Sequence, residues 1–171
     1  MTTSHEVHGA HGAHGIAPVS QLTLPGDREI RTERVFDAPR ERVWRAFTDP
    51  AQLAQWWGRG NRLEVVRMEV ERGGHWRYVE HGPDGANGFE GRYREVVPPE
   101  RLVQTFEWDG MPGYVSVTTT TLEDLGDGRT RVVTHALFHT PEERDGMLQA
   151  GMKQGLDESY AALDRVLAGM G

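Results

Sequence analysis

Two periods divide this chain. From Leu63 to Phe138 apolar and polar positions alternate with period two, and from Thr140 to Ala168 they recur at about 3.6 residues. The first stretch predicts strands at about Leu63–Val70, His75–Glu80, Phe89–Val97, Leu102–Trp108, Tyr114–Leu122 and Arg129–Phe138. Gly- and Pro-rich turns such as Arg72-Gly73-Gly74, Gly82-Pro83-Asp84-Gly85 and Gly126-Asp127-Gly128 separate them. Upstream, Arg28 to Phe36 also alternates. Ile30, Thr32, Arg34 and Phe36 fall on one side, and Glu29, Arg31, Glu33 and Val35 on the other. Asp37-Ala38-Pro39 then opens a helix through Val43, Trp44, Ala46 and Phe47. Thr48-Asp49-Pro50-Ala51-Gln52 restarts it, with Asp49 as cap, Pro50 in the first turn and Gln52 completing a capping box. Leu53, Trp56 and Trp57 close this second helix before Gly58 and Gly60.

The last segment reads as one long amphipathic helix, Thr140 to Ala168. Thr140-Pro141-Glu142-Glu143 is its start signal, since Thr140 accepts from a backbone N–H, Pro141 lacks only an N–H that has no helical partner, and Glu143 reaches back to the cap. At 100° per residue, Leu148, Met152, Leu156, Ser159, Tyr160, Leu163, Val166 and Leu167 fall in an arc of about 120°. Lys153, Asp157, Glu158, Asp164 and Arg165 point elsewhere. Beside the stripe runs a small-residue ridge of Gly151, Gly155, Ser159 and Ala162. An interior glycine costs a helix roughly 1 kcal/mol relative to alanine, so the ridge reflects either close packing or room left for a ligand.

Helices grouped outside an antiparallel meander define an α+β class. The expected architecture is a curved sheet of about seven strands wrapped on a long C-terminal helix, with two short helices after the first strand. Residues 27–171 form this domain, and residues 1–26, rich in His, Gly, Ala and Thr, are expected to be a flexible tail. In that tail His5, His8, His11 and His14 recur every three residues without an acidic or aromatic second shell apart from Glu6, so no metal is assigned to them.

Composition narrows the partners. A net charge of -7 and a pI near 5.6 argue against nucleic acid and anionic membrane. The absence of cysteine removes disulfides and thiol catalysis. With neither a signal-peptide core nor an apolar run of membrane length, a cytoplasmic location is expected.

The candidate chemistry is apolar. No nucleophile with its base, no usable carboxylate pair and no metal constellation emerges. His135 and His139 on one strand stand about 13 Å apart, too far to share one ion. We therefore expect no catalytic residue, cofactor or metal. Aromatic residues are more informative: Trp76 and Tyr78, Phe89 and Tyr93 with Gly91 between them, and Phe106 and Trp108 each share a strand face. Stacked across the sheet and met from the helix by Met152, Gly155, Leu156, Ser159 and Tyr160, they form either an ordinary core or the wall of a pocket for a small hydrophobic or aromatic molecule. In the pocket reading Gly91 and Gly155 keep the cavity open, and its orienting polar groups come from His75, Arg92, Glu107, His135 and Ser159. Trp44 and Trp57 are expected to be buried where the helix pair meets the sheet. Oligomeric state is not legible, which leaves a homodimer open.

The element order and its motifs resemble the START-like, or birch-pollen-allergen-like (SRPBCC), helix-grip superfamily. Within it they resemble the branch named after the C-terminal domain of the activator of the ninety-kilodalton heat-shock chaperone's ATPase. The motifs are Arg34-Val35-Phe36-Asp37-Ala38-Pro39 leading to Val43-Trp44, Thr48-Asp49-Pro50 leading to Trp56-Trp57-Gly58, Gly73-Gly74-His75-Trp76, Val96-Val97-Pro98-Pro99-Glu100-Arg101-Leu102, Thr105-Phe106-Glu107-Trp108 and Gly151-Met152. The resemblance implies a deep pocket between concave sheet and last helix that serves different members for lipids, sterols or polyketides. A polyketide-cyclase-like or hydratase-like enzyme and a chaperone-ATPase-regulating module are the alternatives it carries. Leu156 stands where an aromatic often follows the glycine in this branch, which implies a larger pocket. No chaperone partner is expected, because the activator pairs this domain with a second, chaperone-binding one.

Overall fold

The computed structural model describes residues 19–169. The expected tail histidines lie outside the described residues. One antiparallel sheet carries the fold: β1 Gln21–Thr23, β2 Glu29–Phe36, β3 Arg62–Met68, β4 His75–Gly82, β5 Gly85–Val97, β6 Arg101–Trp108, β7 Val115–Asp124 and β8 Thr130–Leu137. The order across it is β1-β2-β8-β7-β6-β5-β4-β3. The meander from β3 to β8 follows from its short turns, and β2 closes against β8 in the register Glu29↔Leu137 to Phe36↔Thr130. This is the α+β helix-grip arrangement, with eight strands where about seven were expected.

The additional strand corrects the tail boundary. Gln21–Thr23 pairs with Glu33–Arg31 of β2, Ser20 is buried, and the Ser20 N–H donates to Asp157 Oδ1 at 3.3 Å. Three residues with alternating exposure are too short to register as a period, so order begins ahead of the expected residue 27.

Period two decides what faces the concave side. Along β2, Ile30, Thr32, Arg34 and Phe36 are all buried. Along β4 the buried set is Trp76, Tyr78 and Glu80. The helices α1 (Arg40–Thr48) and α2 (Pro50–Leu53) cross one end. Asp49 caps α2 as expected, accepting from the Ala51 and Gln52 N–H groups, but among the described residues Gln52 Oε1 has no partner, so the reciprocal half of the capping box is not made. Trp56 is the tryptophan that seals this corner. It is 4% exposed and its Nε1–H donates to the Ala46 carbonyl at 2.8 Å. Trp44 and Trp57, expected to be buried, are only half-buried, because the turn after α2 brings Trp56 beneath the helices and leaves Trp57 on the rim against Tyr78 and Phe89.

The expected single C-terminal helix is two: α3 (Pro141–Gln149) and α4 (Met152–Gly169). Thr140 caps α3 as its start signal predicts, and the Glu143 carboxylate accepts from the His139 N–H. Gly151 breaks the helix at φ +83°, a left-handed conformation that costs glycine little. The break shifts the facing register, so that Met147 rather than Leu148 turns toward the sheet. Beyond it α4 buries Gly155, Ser159, Tyr160, Ala162, Leu163 and Leu167. Its C-terminal half is fastened by Arg34, whose guanidinium reaches both Asp164 oxygens and lies 4.3 Å from the Phe36 ring centroid.

Candidate functional site

Between the concave sheet and α4 lies a cavity of about 350 Å³, at the low end of the range for small-molecule sites. It exists because the inner faces of β4, β5 and β6 present rings that meet one another rather than the helix. Trp76 and Tyr78 centroids are 4.7 Å apart, Trp76 and Phe106 are 6.0 Å apart, and Phe89 and Phe106 are 5.6 Å apart. Opposite them α4 offers small or slender residues at Gly155 and Ser159, and the α3–α4 break adds Ala150, Gly151 and Met152. At the far end Tyr160 is fully buried, edge-on to Phe36 at 5.0 Å. Burial pushes the phenols of Tyr160 and Tyr78 above the ordinary tyrosine range, so both stay neutral.

Most of the expected wall lines this cavity: Trp76, Tyr78, Phe89, Phe106 and Trp108 from the sheet, and Met152, Gly155, Leu156, Ser159 and Tyr160 from the helix. Two of the expected residues do not. Tyr93 is 2% exposed within the packed core, beside Tyr78, rather than on the cavity surface. Gly91 serves close strand packing: a Cβ there would stand 1.9 Å from the Thr105 carbonyl oxygen. Gly155 does line the cavity, yet its missing side chain is replaced by the stem of Arg59, whose Cδ would be 2.5 Å from an added Cβ.

The expected polar groups are corrected more widely. Ser159 lines the cavity, but His75 pairs with Glu90, Arg92 is exposed and donates to the Gly73 carbonyl, Glu107 accepts from the Gly113 N–H, and His135 lies 3.5 Å from Glu29. All four belong to the parity that faces away from the helix. The polar groups that do line the cavity are Arg59, Glu80, Asn87, Gln104, Ser116, Thr118, Thr120 and Thr134. Glu80 was legible in principle, since it sits two residues beyond Tyr78 and four beyond Trp76 on the aromatic parity.

Among the described residues Glu80 is the one carboxylate lining the cavity, and it is 2% exposed. Its Oε1 accepts from Arg59 Nη2 at 2.8 Å and Asn61 Nδ2 at 3.1 Å, and its Oε2 accepts from Arg59 Nε at 3.4 Å. Hydrogen bonding to Glu80 raises the Arg59 pKa, burial opposing it. The backbone aims Arg59 at this partner through consecutive positive φ values at Gly58, Arg59 and Gly60, and the Arg59 N–H donates to Ser159 Oγ at 3.1 Å. One residue thus ties the loop after α2 to β4 and α4 at the cavity edge.

A curved antiparallel sheet gripping a C-terminal helix over an internal cavity defines the helix-grip class. The family model described as "Activator of Hsp90 ATPase homolog 1-like protein" matches residues 37–168, and the chain belongs to that family. Among solved structures, a protein from Rhodobacter sphaeroides is 30% identical with a TM-score of 0.81, covering 89% of this chain and 99% of that one. Protein Ms6760 from Mycobacterium smegmatis shares the fold at 23% identity and a TM-score of 0.80, covering 90% and 99%. DynU16, from the dynemicin biosynthetic locus, is 27% identical with a TM-score of 0.63, covering 85% of this chain and 48% of that one. None of the curated proteins compared matches the chain.

Proposed function

We propose that this protein binds a small hydrophobic or aromatic molecule in the cavity between its sheet and α4. The observation that carries the reading is the cavity itself: a room of about 350 Å³ whose walls are mostly apolar, with ten aromatic residues among them. Covering the cavity's apolar surface with an apolar occupant is worth about 25 cal/mol per Å² removed from water. A second reading, a cyclase-like enzyme using the same cavity, draws support from Glu80 as a carboxylate on its wall and from the likeness to DynU16. Binding is the stronger reading because Glu80 is already engaged by donors from Arg59 and Asn61.

Native mass spectrometry of the protein purified from its own host tests the proposal. The expected result is a population heavier than the chain by one small molecule, released on unfolding. A single mass equal to the chain, in protein that also takes up no added apolar ligand, would contradict it.

A further inference from the structure

The cavity has a second surface that the apolar reading does not use. Gln104 on β6 faces Thr118 on β7 in register, and Thr120 follows two residues on, opposite Leu102. All three line the cavity together with Ser116. Among the described residues no hydrogen bond engages the Gln104 amide or the hydroxyls of Ser116, Thr118 and Thr120, although Ser116 is 4% and Thr120 7% exposed. None of these polar atoms is sealed inside packed protein, so they open onto the cavity, and a sheet that needed only a packed core would place valine or leucine here. Period two spaces the hydroxyls along β7 by about 7 Å, so they form a row with the aromatic wall beside it.

The charges of the cavity add a second constraint. Among the described residues Arg59 and Glu80 are its only ionisable pair of opposite sign, and they are joined to each other. A cationic ligand would find the carboxylate already engaged, and an anionic one would have to approach that buried carboxylate and share Arg59 with it, so each is disfavoured against an uncharged ligand.

Building on the ligand-binding reading above, we propose that the cavity takes an uncharged ring system bearing hydroxyl or carbonyl oxygens along one edge, with Gln104, Thr118 and Thr120 holding those oxygens while the ring packs on Phe89 and Phe106. The hydroxyls and the amide both donate and accept, so either type of oxygen is served. A purely aliphatic chain would leave the row unpaired.

Calorimetric titration of the full chain with naphthalene, 2,7-dihydroxynaphthalene, whose two oxygens share one edge, and naphthalene-2,7-dicarboxylate tests this. The diol is expected to bind about tenfold more tightly than naphthalene, and the dicarboxylate at least about tenfold more weakly than the diol. Thr118→Val and Gln104→Leu should each remove most of the diol's advantage with naphthalene affinity unchanged, and Thr118→Ser should retain it. A Thr118→Val chain that melts as the parent does keeps the comparison free of folding effects. Equal affinity for naphthalene and diol, or variants that weaken both alike, would overturn the oxygen-reading row while leaving the cavity reading intact. Binding of none of the three would overturn both.

Discussion

Arg59 and Glu80 form an ion pair at 2.8 Å in which the carboxylate is 2% exposed and the guanidinium side chain 42%. The asymmetry has an energetic consequence. Removing the cation strands a buried charge, whereas neutralising the carboxylate leaves a cation that water already reaches. Arg59→Met is expected to destabilise the domain by about 1–3 kcal/mol, and Glu80→Gln, which keeps a carbonyl for Arg59 and Asn61, by less than about 1 kcal/mol. Urea denaturation of the two variants checks the order. A Glu80→Gln cost exceeding that of Arg59→Met would contradict it.

Gly91 and Gly155 separate under the same substitution. At Gly91 the neighbour of an added Cβ is the Thr105 carbonyl at 1.9 Å, which is backbone and cannot yield. At Gly155 it is the flexible Arg59 stem. Gly91→Ala should therefore cost about 3 kcal/mol or more. Gly155→Ala should be near neutral, its helix-propensity gain of roughly 1 kcal/mol offsetting displacement of Arg59. Combined with Arg59→Ala, Gly155→Ala should become stabilising by about 0.5–1 kcal/mol, a coupling read directly from a double-mutant cycle of thermal melts. Additive effects would show that Arg59 does not occupy that space.

Removing residues through Leu24 deletes β1 and the Ser20 contact to Asp157, and should cost about 1–2 kcal/mol near neutral pH. Burial pushes the Asp157 carboxyl up, but Lys153 at 2.6 Å and the Ser20 N–H outweigh it and hold the group below the ordinary aspartate range. A depressed folded pKa gives stability that is present above about pH 4 and lost as pH falls through the folded value. The stability gap between full and truncated chains should accordingly narrow as the pH is lowered from about 5 to about 3. A gap independent of pH would remove Asp157 from the account.

The parts of the fold that were legible in the sequence are those written as long periods. Ile30, Thr32, Arg34 and Phe36 share a buried face, and so do Trp76 and Tyr78, because alternation over a whole strand leaves one choice of parity. What was not legible depends on distance or on single residues. Gly91 and Gly155 look alike as letters, and only the Thr105 carbonyl and the Arg59 stem tell them apart. Arg59 itself sits between two glycines in a loop, 21 residues from Glu80 and 100 from Ser159, with no period to mark it. The break at Gly151 hid inside an amphipathic pattern that runs on across it, since a left-handed residue disturbs backbone direction without interrupting the order of apolar positions.

A ligand site between the sheet and α4, as proposed, and a packing defect there respond differently to a side chain placed inside the space. The most direct measurement is a fluorescence titration with the uncharged dye N-phenyl-1-naphthylamine on the parent chain and on Ala136→Phe, which places a ring into the cavity from the inner face of β8. The parent is expected to bind the dye, and Ala136→Phe to bind it at least about tenfold more weakly while its unfolding midpoint stays within about 2 °C or rises. Dye affinity unchanged by a phenylalanine inside the cavity would contradict the account.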